Sequence, residues 1–390
     1  MHLKERSQRE SRPFRIVLAS WAPFYAGAEV ATEHLADGLR QAGHEVLVLV
    51  GTDGQAAERF RDLGLDVRFI EQRFTSKLGW FGYRRSMNKV VELLRERRPD
   101  IVHSTDLPTH QMISDAARRL KLPRICHHRW IFEGAATEWL NKFGAERHLF
   151  VSHYLEAEMT RTSPSLQAGN RAVVHDGIRL PALSTPDDKL RVRRALGLPD
   201  DRRIVLFAGQ IVERKGLADL LRAWSLLREQ HDRAMLVIVG DDLQHQGAYR
   251  REMEMLNREL GDIARFVGFQ FDIASWQTAA DIAIVPSHIE PLGLVVMEAM
   301  SRGLPVIGAN TGGIPEMIVH GETGLLAAPH SPPSLAAALA DLLTSPDRCR
   351  QFGAAGRRRC EAAFQLDSHV DAIVEQYEIL SRRSNRSVVR

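Results

Sequence analysis

Short segments in which nearly every residue is apolar recur along this chain, and segments with helical spacing lie between them. Val46–Val50 and Leu236–Val239 are two of these apolar segments. A strand that is apolar on both faces is typical of a parallel sheet that helices cover on both sides. The alternation therefore restricts the fold to the α/β class, built from successive strand–helix–strand units.

Two series of this kind are separated by a proline-rich stretch at residues 181–199, and 390 residues are enough for two domains. In the first series, Ala31, Leu35, Leu39 and Ala42 recur at helical spacing and predict one buried helix face. We predict two doubly wound, Rossmann-like domains that face each other across a cleft. The predicted strands are 15–19, 46–50, 100–103 and 124–126, then 204–208, 236–240, 266–267, 282–285 and 305–307, with later helices over about 217–228 and 249–260.

Charge and cysteine content argue against several classes of protein. Residues 1–15 carry five Lys or Arg and two Glu, and residues 381–390 carry four Arg and no acid, so the body has a net charge of about −4. This balance does not favour nucleic acid as a partner. The three scattered cysteines form no disulfide framework, and the first fifteen residues contain no apolar signal segment. We therefore expect a reduced, cytoplasmic protein.

Familiar cofactor and metal signatures are missing from the sequence. There is no G-x-G-x-x-G and no G-x-x-x-x-G-K-[ST], which disfavours dinucleotide oxidoreductases and P-loop nucleotidases. There is also no H-E-x-x-H and no D-x-D. His127 and His128 are neighbours, but adjacent side chains on a strand point to opposite faces and rarely bind one metal ion. We therefore expect neither a metal ion nor a cofactor.

The most informative segment lies between residues 280 and 326. A predicted strand is followed by a loop with Glu290, and Gly293 then begins a helix that carries Glu298. Free amides at a helix N-terminus attract anions, and a carboxylate accepts hydrogen bonds from both hydroxyls of a vicinal diol. Two carboxylates alone would equally fit a capped helix. The amides expected to face the cleft are those of Gly293, Leu294 and Val295.

The longer string is more specific. Pro-Ser-x-x-Glu-x₇-Glu, followed by Gly303–Ile307 and Gly312–Glu316, resembles the retaining glycosyltransferases of glycosyltransferase family 4, which have the GT-B architecture. The resemblance implies an acceptor-binding domain at 14–178, a nucleotide-sugar donor domain at 181–365, and a helix at 366–382 that crosses back to the first domain. Further matches occur in order at 26–29, 43–46, 100–103, Gly177, Lys215-Gly216 and 321–324.

The resemblance also implies roles for individual residues. Glu298 would hold the ribose hydroxyls, Glu290 the hydroxyls of the donor sugar, and Lys215 would neutralise the leaving diphosphate. Gly27 would lie beside the phosphates and the acceptor, and the helix from Glu316 would help to frame the pocket. The implied catalytic residues are Glu290, Lys215 and His128, and the implied donor-binding residues are Gly27, Gln210, Arg214, Val267, Gly293, Leu294, Val295 and Glu298.

Three positions depart from the family pattern. Gln210 stands where the family commonly has Arg, so one diphosphate cation is missing, although Arg214 is close enough in sequence to reach the same place. The histidine of the first domain matches either His127 or His128. We favour His128 from its place at the start of a loop, and a purely structural role is the alternative. Asp176 replaces the usual Asn.

A basic, aromatic segment lies at residues 73–98, with eight Lys or Arg, two Glu, and Phe74, Trp80, Phe81 and Tyr83. Such a composition suits the surface of an anionic membrane or an acidic glycan. The alternative is a helix with a charged outer face and an apolar side that packs inward. The apolar residues in question are Met87, Val90, Val91 and Leu94.

Together these features favour a metal-independent, retaining glycosyltransferase. It would move a sugar from a UDP-sugar or GDP-mannose to a glycan or lipid-linked acceptor, in the cytoplasm or at the inner face of the membrane. Two alternatives stay open. One is a nucleotide-sugar 2-epimerase of the same architecture, and the other is a non-catalytic protein that binds nucleotide sugars. The second alternative is kept because Gln210 lacks the positive charge that the usual Arg would supply to a diphosphate.

Overall fold

The computed structural model describes residues 12–22, 24–73 and 80–388. Its first sheet has seven parallel strands in the order β3-β2-β1-β4-β5-β6-β7. Helices separate these strands along the chain, as a parallel sheet requires. The strands are β1 Arg15–Ser20, β2 Glu45–Val50, β3 Asp66–Phe69, β4 Ile101–Ser104, β5 Arg124–His128, β6 Arg147–Phe150 and β7 Arg171–Val173, and the helices are α1 Gly27–Gln41, α2 Gln55–Asp62, α3 Trp80–Arg97, α4 Leu107–Arg119, α5 Ala135–Phe143 and α6 His153–Thr162.

The second sheet has six parallel strands in the order β10-β9-β8-β11-β12-β13. In both sheets the strand order reverses next to the first strand of that sheet, β1 or β8. This is the doubly wound arrangement predicted from the sequence. The strands are β8 Arg203–Ala208, β9 Ala234–Val239, β10 Ala264–Gly268, β11 Ile282–Val285, β12 Val306–Ala309 and β13 Gly324–Ala327, and the helices are α7 Pro186–Ala195, α8 Leu217–Ser225, α9 Ala248–Glu259, α10 Ile273–Ala279, α11 Leu294–Ser301, α12 Ile314–Met317, α13 Pro332–Thr344, α14 Pro346–Ala363 and α15 Leu366–Val388.

Strand β1 shows why the sheets are apolar on both faces. Ile16 and Leu18 pack into one core with α1 and α15, whereas Val17 and Ala19 pack into another core with α3 and α4. Successive side chains of a strand point to opposite faces, so a strand between two layers of helices needs apolar residues throughout. Of the predicted face of α1, Ala42 is the exception, because it follows the last helical residue and is exposed.

The last helix, α15, packs on the first sheet. Tyr377 is fully buried there, and its hydroxyl lies 2.8 Å from His103 Nδ1. At the point where the chain returns, Gly177 has no room for a side chain, because a Cβ atom would lie 2.5 Å from Cβ of His369. Leu155 and Met159 of α6 share a core with Met297 of α11 and Phe364, so apolar packing joins the two α/β units below the cleft.

Helix α3 contains most of the basic, aromatic segment. Met87, Val90, Val91 and Leu94 are buried against the first sheet, as helical spacing predicts. Phe81 is 81% exposed, and Phe74 lies outside the described residues. Across the parts of the chain that are described, none of the helices has the length and apolar character that crossing a bilayer requires.

Candidate active site in the interdomain cleft

A cavity of about 1310 Å³ lies between the two sheets. Its walls come from the segments that follow the carboxyl ends of β1, β5, β8, β9 and β11. This edge of a doubly wound sheet is where ligands bind, because helix N-termini and loop amides converge there. A volume above the ~300–1,000 Å³ of a typical small-molecule site leaves room for two substrates.

Lys215 and Glu290 form an ion pair inside this cavity. The Lys215 ammonium donates a hydrogen bond to Glu290 Oε2, and the two side chains are only 16% and 10% exposed. Gly216 follows Lys215 with a φ of 69°, and a Cβ atom there would lie 2.0 Å from the carbonyl oxygen of Pro286. The loop with Lys215 therefore packs directly on the strand end that leads to Glu290.

The Glu290 loop is also supported from behind by two glycines. The amide of Gly313 donates to the Glu290 carbonyl oxygen at 2.9 Å. Gly312 has a φ of 61°, and a Cβ atom on it would lie 2.0 Å from the same oxygen. The glycine pair is thus required by a close approach of two backbones at the floor of the cavity.

Helix α11 points its N-terminus into the cavity. Gly293 is its N-cap with a φ of 98°, and Gly293, Leu294 and Val295 all line the cavity wall. The amides of the first helical turn lack intrahelical partners and carry partial positive charge. Glu298 lies one turn further along, and burial raises the pKa of its carboxyl group. The helix thus presents an anion site and a carboxylate side by side.

Arg214 lies next to Gln210, as the sequence allowed. Its Nη2 donates to Gln210 Oε1 at 3.2 Å, and its guanidinium carbon lies 4.7 Å from the ring centroid of Trp130 in the first domain. Arg214 is partly buried, and the desolvation of its charge lowers the pKa of its guanidinium group. Within the described part of the chain, no carboxylate forms a salt bridge with it. A cation therefore lies within hydrogen-bond distance of Gln210, the position where the family commonly has Arg.

The first domain contributes the N-terminus of α1. Gly27 lines the cavity as the first helical residue, and a Cβ atom there would meet no protein atom within 4 Å. Glu29 accepts a hydrogen bond from the amide of Ala26 at 3.2 Å. Burial raises the pKa of Glu29 to about 7, so its carboxyl group is close to half-protonated at neutral pH.

Arg129 and Asp176 are cavity residues that sequence reasoning did not place there as a pair. Arg129 Nη2 donates to Asp176 Oδ1 at 2.7 Å, and the two side chains are 7% and 8% exposed. Arg129 Nη1 also donates to the carbonyl oxygen of Thr105 at 2.9 Å. The available signal was the Arg129-Trp130 dipeptide directly after a buried strand.

Comparison with known proteins finds a matching family model for each half of the chain. The model for glycosyl transferases group 1 matches residues 188–359, and the model for glycosyltransferase family 4 matches residues 25–180. The chain thus carries a glycosyltransferase family 4 domain in its first half and a glycosyl transferases group 1 domain in its second half. The resemblance seen in the sequence is therefore confirmed over most of its length.

Individual relatives match this chain to different extents. The D-inositol 3-phosphate glycosyltransferase of Streptomyces scabiei is 35% identical over 228 residues, 56% of this chain and 51% of that protein. The chain spans about half the length of this and similar curated relatives. The glycogen synthase of Mycobacterium tuberculosis is 27% identical over 410 residues, 95% of this chain and 96% of that protein.

The fold of the chain matches solved structures. Anabaena HepE, solved in complex with UDP and glucose, superposes with a TM-score of 0.84 at 22% identity, covering 94% of this chain and 100% of that one. Sucrose-phosphate synthase from Thermosynechococcus elongatus superposes with a TM-score of 0.76 at 24% identity, covering 94% of this chain and 99% of that one. The prediction of a GT-B architecture is confirmed.

The structure does not bring His128 to the cavity, so its implied catalytic placement needs correction. Strand β5 extends through His128, and the side chain points into the packing beneath the sheet, where it is fully buried and stacks on Phe150 at a centroid distance of 4.7 Å. Burial lowers the pKa of His128 to about 3. His127 is fully buried as well. Arg129 is the first residue after this strand that faces the cleft.

Val267 and Glu316 are also placed differently from the family-based expectation. Val267 belongs to strand β10 and packs against a core, whereas Phe269, two residues later, lines the cavity. Glu316 lies outside the cavity lining, and its carboxylate accepts hydrogen bonds from the amide of Tyr154 at 2.8 Å and from His175 Nε2 at 2.8 Å. Glu316 therefore joins the two domains rather than framing the pocket.

Two clusters in the described residues bring three metal-ligating atoms within 4.8 Å of one another. Neither cluster borders the cavity. In the first, the amide of Ala145 donates to His148 Nε2, so the proton of that ring is on Nδ1, which donates to His128 Nε2 at 3.1 Å. These lone pairs are thus used in hydrogen bonds. Metal-independent binding of a donor remains a prediction. The clusters are Cys126, His128 and His148, and Asp219, His288 and His330.

Proposed function

We propose that this chain is a retaining glycosyltransferase that transfers a sugar from a nucleotide-diphosphate donor, without a metal ion, to a glycan or lipid-linked acceptor. The observation that carries the proposal is the convergence of Lys215, Arg214 and the N-terminus of α11 on one cavity between the domains. Two cations and a row of amides supply the charge that a diphosphate needs when no divalent ion is present.

The ion pair of Lys215 with Glu290 gives a physical account of donor binding. A bound diphosphate attracts the Lys215 ammonium, which releases the Glu290 carboxylate to accept hydrogen bonds from the donor sugar. Glu298 lies one turn along α11 and would accept hydrogen bonds from the ribose diol. Lys215, Glu290 and Glu298 would thus each acquire a substrate partner.

The transfer breaks the bond between the anomeric carbon and the phosphate oxygen and forms a bond to the acceptor oxygen on the same face of the sugar. The acceptor proton passes to the leaving phosphate, whose developing charge Lys215 and Arg214 stabilise. Closure of the two domains would bring donor and acceptor together. Since His128 is buried, it takes no part in this scheme.

The donor base is best tested first with UDP. Anabaena HepE was solved with UDP and glucose and shares this fold, and the D-inositol 3-phosphate glycosyltransferases are relatives of half the chain. The UDP and glucose of the HepE structure support a UDP-hexose donor, with GDP-mannose as the alternative. An epimerase is distinguished by its product, because the sugar then stays attached to the nucleotide.

A peripheral contact of residues 73–98 with anionic lipid, from the cytoplasmic side, belongs to the same proposal. Phe81 and the basic residues Arg85 and Lys89 lie on the exposed side of α3, opposite its buried apolar face. We expect the double variant Trp80→Ser with Arg84→Glu to lose binding to anionic liposomes. Unchanged liposome binding would remove this part of the proposal.

The function is tested by thermal unfolding with saturating UDP, GDP, ADP and dTDP, each with and without EDTA. Ligand at 100 times its dissociation constant stabilises the folded state by about 2.7 kcal/mol, which shifts the midpoint measurably. We expect one nucleotide to stabilise the protein equally in EDTA. Stabilisation that EDTA abolishes would contradict a metal-free site, and no stabilisation by any of the four would favour a protein that does not bind such donors.

A further inference from the structure

The cavity has a second region that faces the first domain. Helices α1 and α2 and the segments after β5 and β7 form this region, which is called the acceptor half below. If the donor occupies the half with Lys215 and Arg214, the acceptor hydroxyl enters from the acceptor half. The inference that follows therefore rests on the proposed function.

Every arginine that lines the acceptor half is already paired with a carboxylate. Arg129 pairs with Asp176 at 2.7 Å, and Arg59 Nε lies 3.3 Å from Glu33 Oε2. Arg179 pairs with Asp37. A guanidinium that stays paired in this way offers little net charge to a phosphate group. The Lys215–Glu290 pair differs, because the donor would supply a phosphate for the lysine and sugar hydroxyls for the carboxylate. Arg129 Nε is buried without a partner, but Asp176 balances its charge.

His34 does not supply the missing charge. Its Nδ1 lies 3.3 Å from the carbonyl oxygen of Gly177, and burial lowers the pKa of its imidazole. The ring is therefore neutral at neutral pH. No other Lys, Arg or His among residues 12–22, 24–73 and 80–180 borders the cavity.

Helix α2 adds carboxylates to the acceptor half. Glu58 and Asp62 are one turn apart, line the cavity and are exposed. Arg59, their neighbour on the same face, is paired with Glu33. No salt bridge holds Glu58 or Asp62 among the ion pairs of the described chain. A phosphate group in this region would meet two free negative charges and no free positive one.

The donor half also contains carboxylates, but two of its arginines, Arg214 and Arg302, form no salt bridge within the described residues. In addition, α11 points its amides into the cavity. Anion-binding capacity is therefore concentrated where the diphosphate of the donor would lie. The two halves of one cavity are electrostatically different, and this difference constrains the second substrate.

We propose that the acceptor of this chain is a sugar or polyol whose part inside the cleft carries no phosphate. Hydroxyl groups form hydrogen bonds with the carboxylates of Glu33, Glu58 and Asp62 and with the Arg129–Asp176 pair, whereas a phosphate dianion would lose its hydration and gain no cation. The proposal separates this chain from a transferase that uses a phosphorylated acceptor.

The test compares acceptors in matched pairs on the full chain. Donor binding is first established by the thermal shift with UDP. Transfer from the matching UDP-sugar is then followed by mass spectrometry with glucose against glucose 6-phosphate, and with myo-inositol against myo-inositol 1-phosphate. We expect kcat/KM to be at least tenfold higher for the unphosphorylated member. A preference for the phosphorylated member would overturn the inference and leave the proposed function intact, whereas absence of UDP binding would strike at the proposed function itself.

A charge reversal makes the test independent of the size of the phosphate. Glu58→Lys places a free ammonium in the acceptor half and should lower the preference for the unphosphorylated member at least threefold. The matched control is Glu138→Lys on α5, where the residue is exposed and does not line the cavity. The control should leave the ratio unchanged. Equal effects of the two variants would overturn the inference.

Discussion

The guanidinium group of Arg214 in the second domain lies over the indole ring of Trp130 in the first domain, 4.7 Å from the ring centroid. A cation above an aromatic face is attracted to it, and more strongly when both are partly desolvated. The contact therefore holds at the cleft a cation that forms no salt bridge within the described residues. It also lies beside Gln210, where a positive charge is expected in this family.

Replacement of Arg214 should weaken nucleotide binding more than replacement of an exposed arginine outside the cavity. Charge-assisted hydrogen bonds contribute about 1.5–3 kcal/mol, so Arg214→Gln should raise the Kd for UDP by about 10- to 150-fold in titration calorimetry. Arg222→Gln is the control, since its side chain is 55% exposed on α8 and does not line the cavity. A Kd for Arg214→Gln within a factor of two of the control value would contradict this role.

Replacement of Lys215 should affect the transfer step. Lys215→Gln removes the charge that stabilises the leaving diphosphate, so kcat should fall by about 10²- to 10³-fold. Unfolding by urea verifies that the variant is folded. If kcat changed less than threefold while the KM for the donor rose, Lys215 would serve binding alone.

Gly312 should be intolerant of even one methyl group. Both Gly312 and Gly321 have positive φ values, 61° and 78°, but only at Gly312 would a Cβ atom collide, at 2.0 Å, with the Glu290 carbonyl oxygen. The conformational cost of alanine at positive φ is about 1–2 kcal/mol in each case. Gly312→Ala should therefore lose more unfolding free energy than Gly321→Ala and should also lose donor binding. Equal losses would show that the close approach is unimportant.

Acid should destabilise the protein through its buried histidines. Burial lowers the pKa of His110 to about 4 and that of His128 to about 3, and it lowers the pKa of His127 as well. The unfolded chain takes up these protons near pH 6.5, whereas the folded chain does not. Each such group therefore costs about 1.4 kcal/mol of unfolding free energy per pH unit as the pH falls below 6.5.

His127→Leu tests this assignment. Both ring nitrogens of His127 are buried without hydrogen-bond partners, so an apolar side chain should fit there at little cost. We expect the variant to gain about 2 kcal/mol relative to the parent between pH 8 and pH 5, measured by urea unfolding. The matched control is His153→Leu, at a side chain that is 72% exposed. A gain of the same size in the control would contradict the assignment.

The sequence predicts well those features that depend on local pattern. Fully apolar strands predict a sheet that is covered on both sides, and the buried residues of β1 and β2 confirm this prediction. Gly293 was expected to begin a helix and is the N-cap of α11. Such features are local, because burial periodicity and helix caps are properties of short segments.

What the sequence could not supply is where each strand ends. His128 was favoured as a loop residue, but β5 continues through it, so its side chain is buried and Arg129 faces the cleft instead. Val267 was correctly expected in a strand, but it packs against a core, and Phe269, just beyond β10, lines the cavity instead. A shift of one residue moves a side chain to the other face of a sheet. The contact of Arg214 with Trp130 and the pairing of Arg129 with Asp176 depend on how distant segments meet, which no local pattern contains.

Lys215, Arg214 and the amides of α11 should together replace a metal ion in holding the donor diphosphate. A crystal structure with UDP, grown in EDTA, tests this most directly. We predict that phosphate oxygens lie within about 3.2 Å of Lys215 Nζ and of the amides of Leu294 or Val295, with Glu290 released from Lys215. A diphosphate bound elsewhere in the cleft, or a nucleotide that binds only when a divalent cation is restored, would contradict the account.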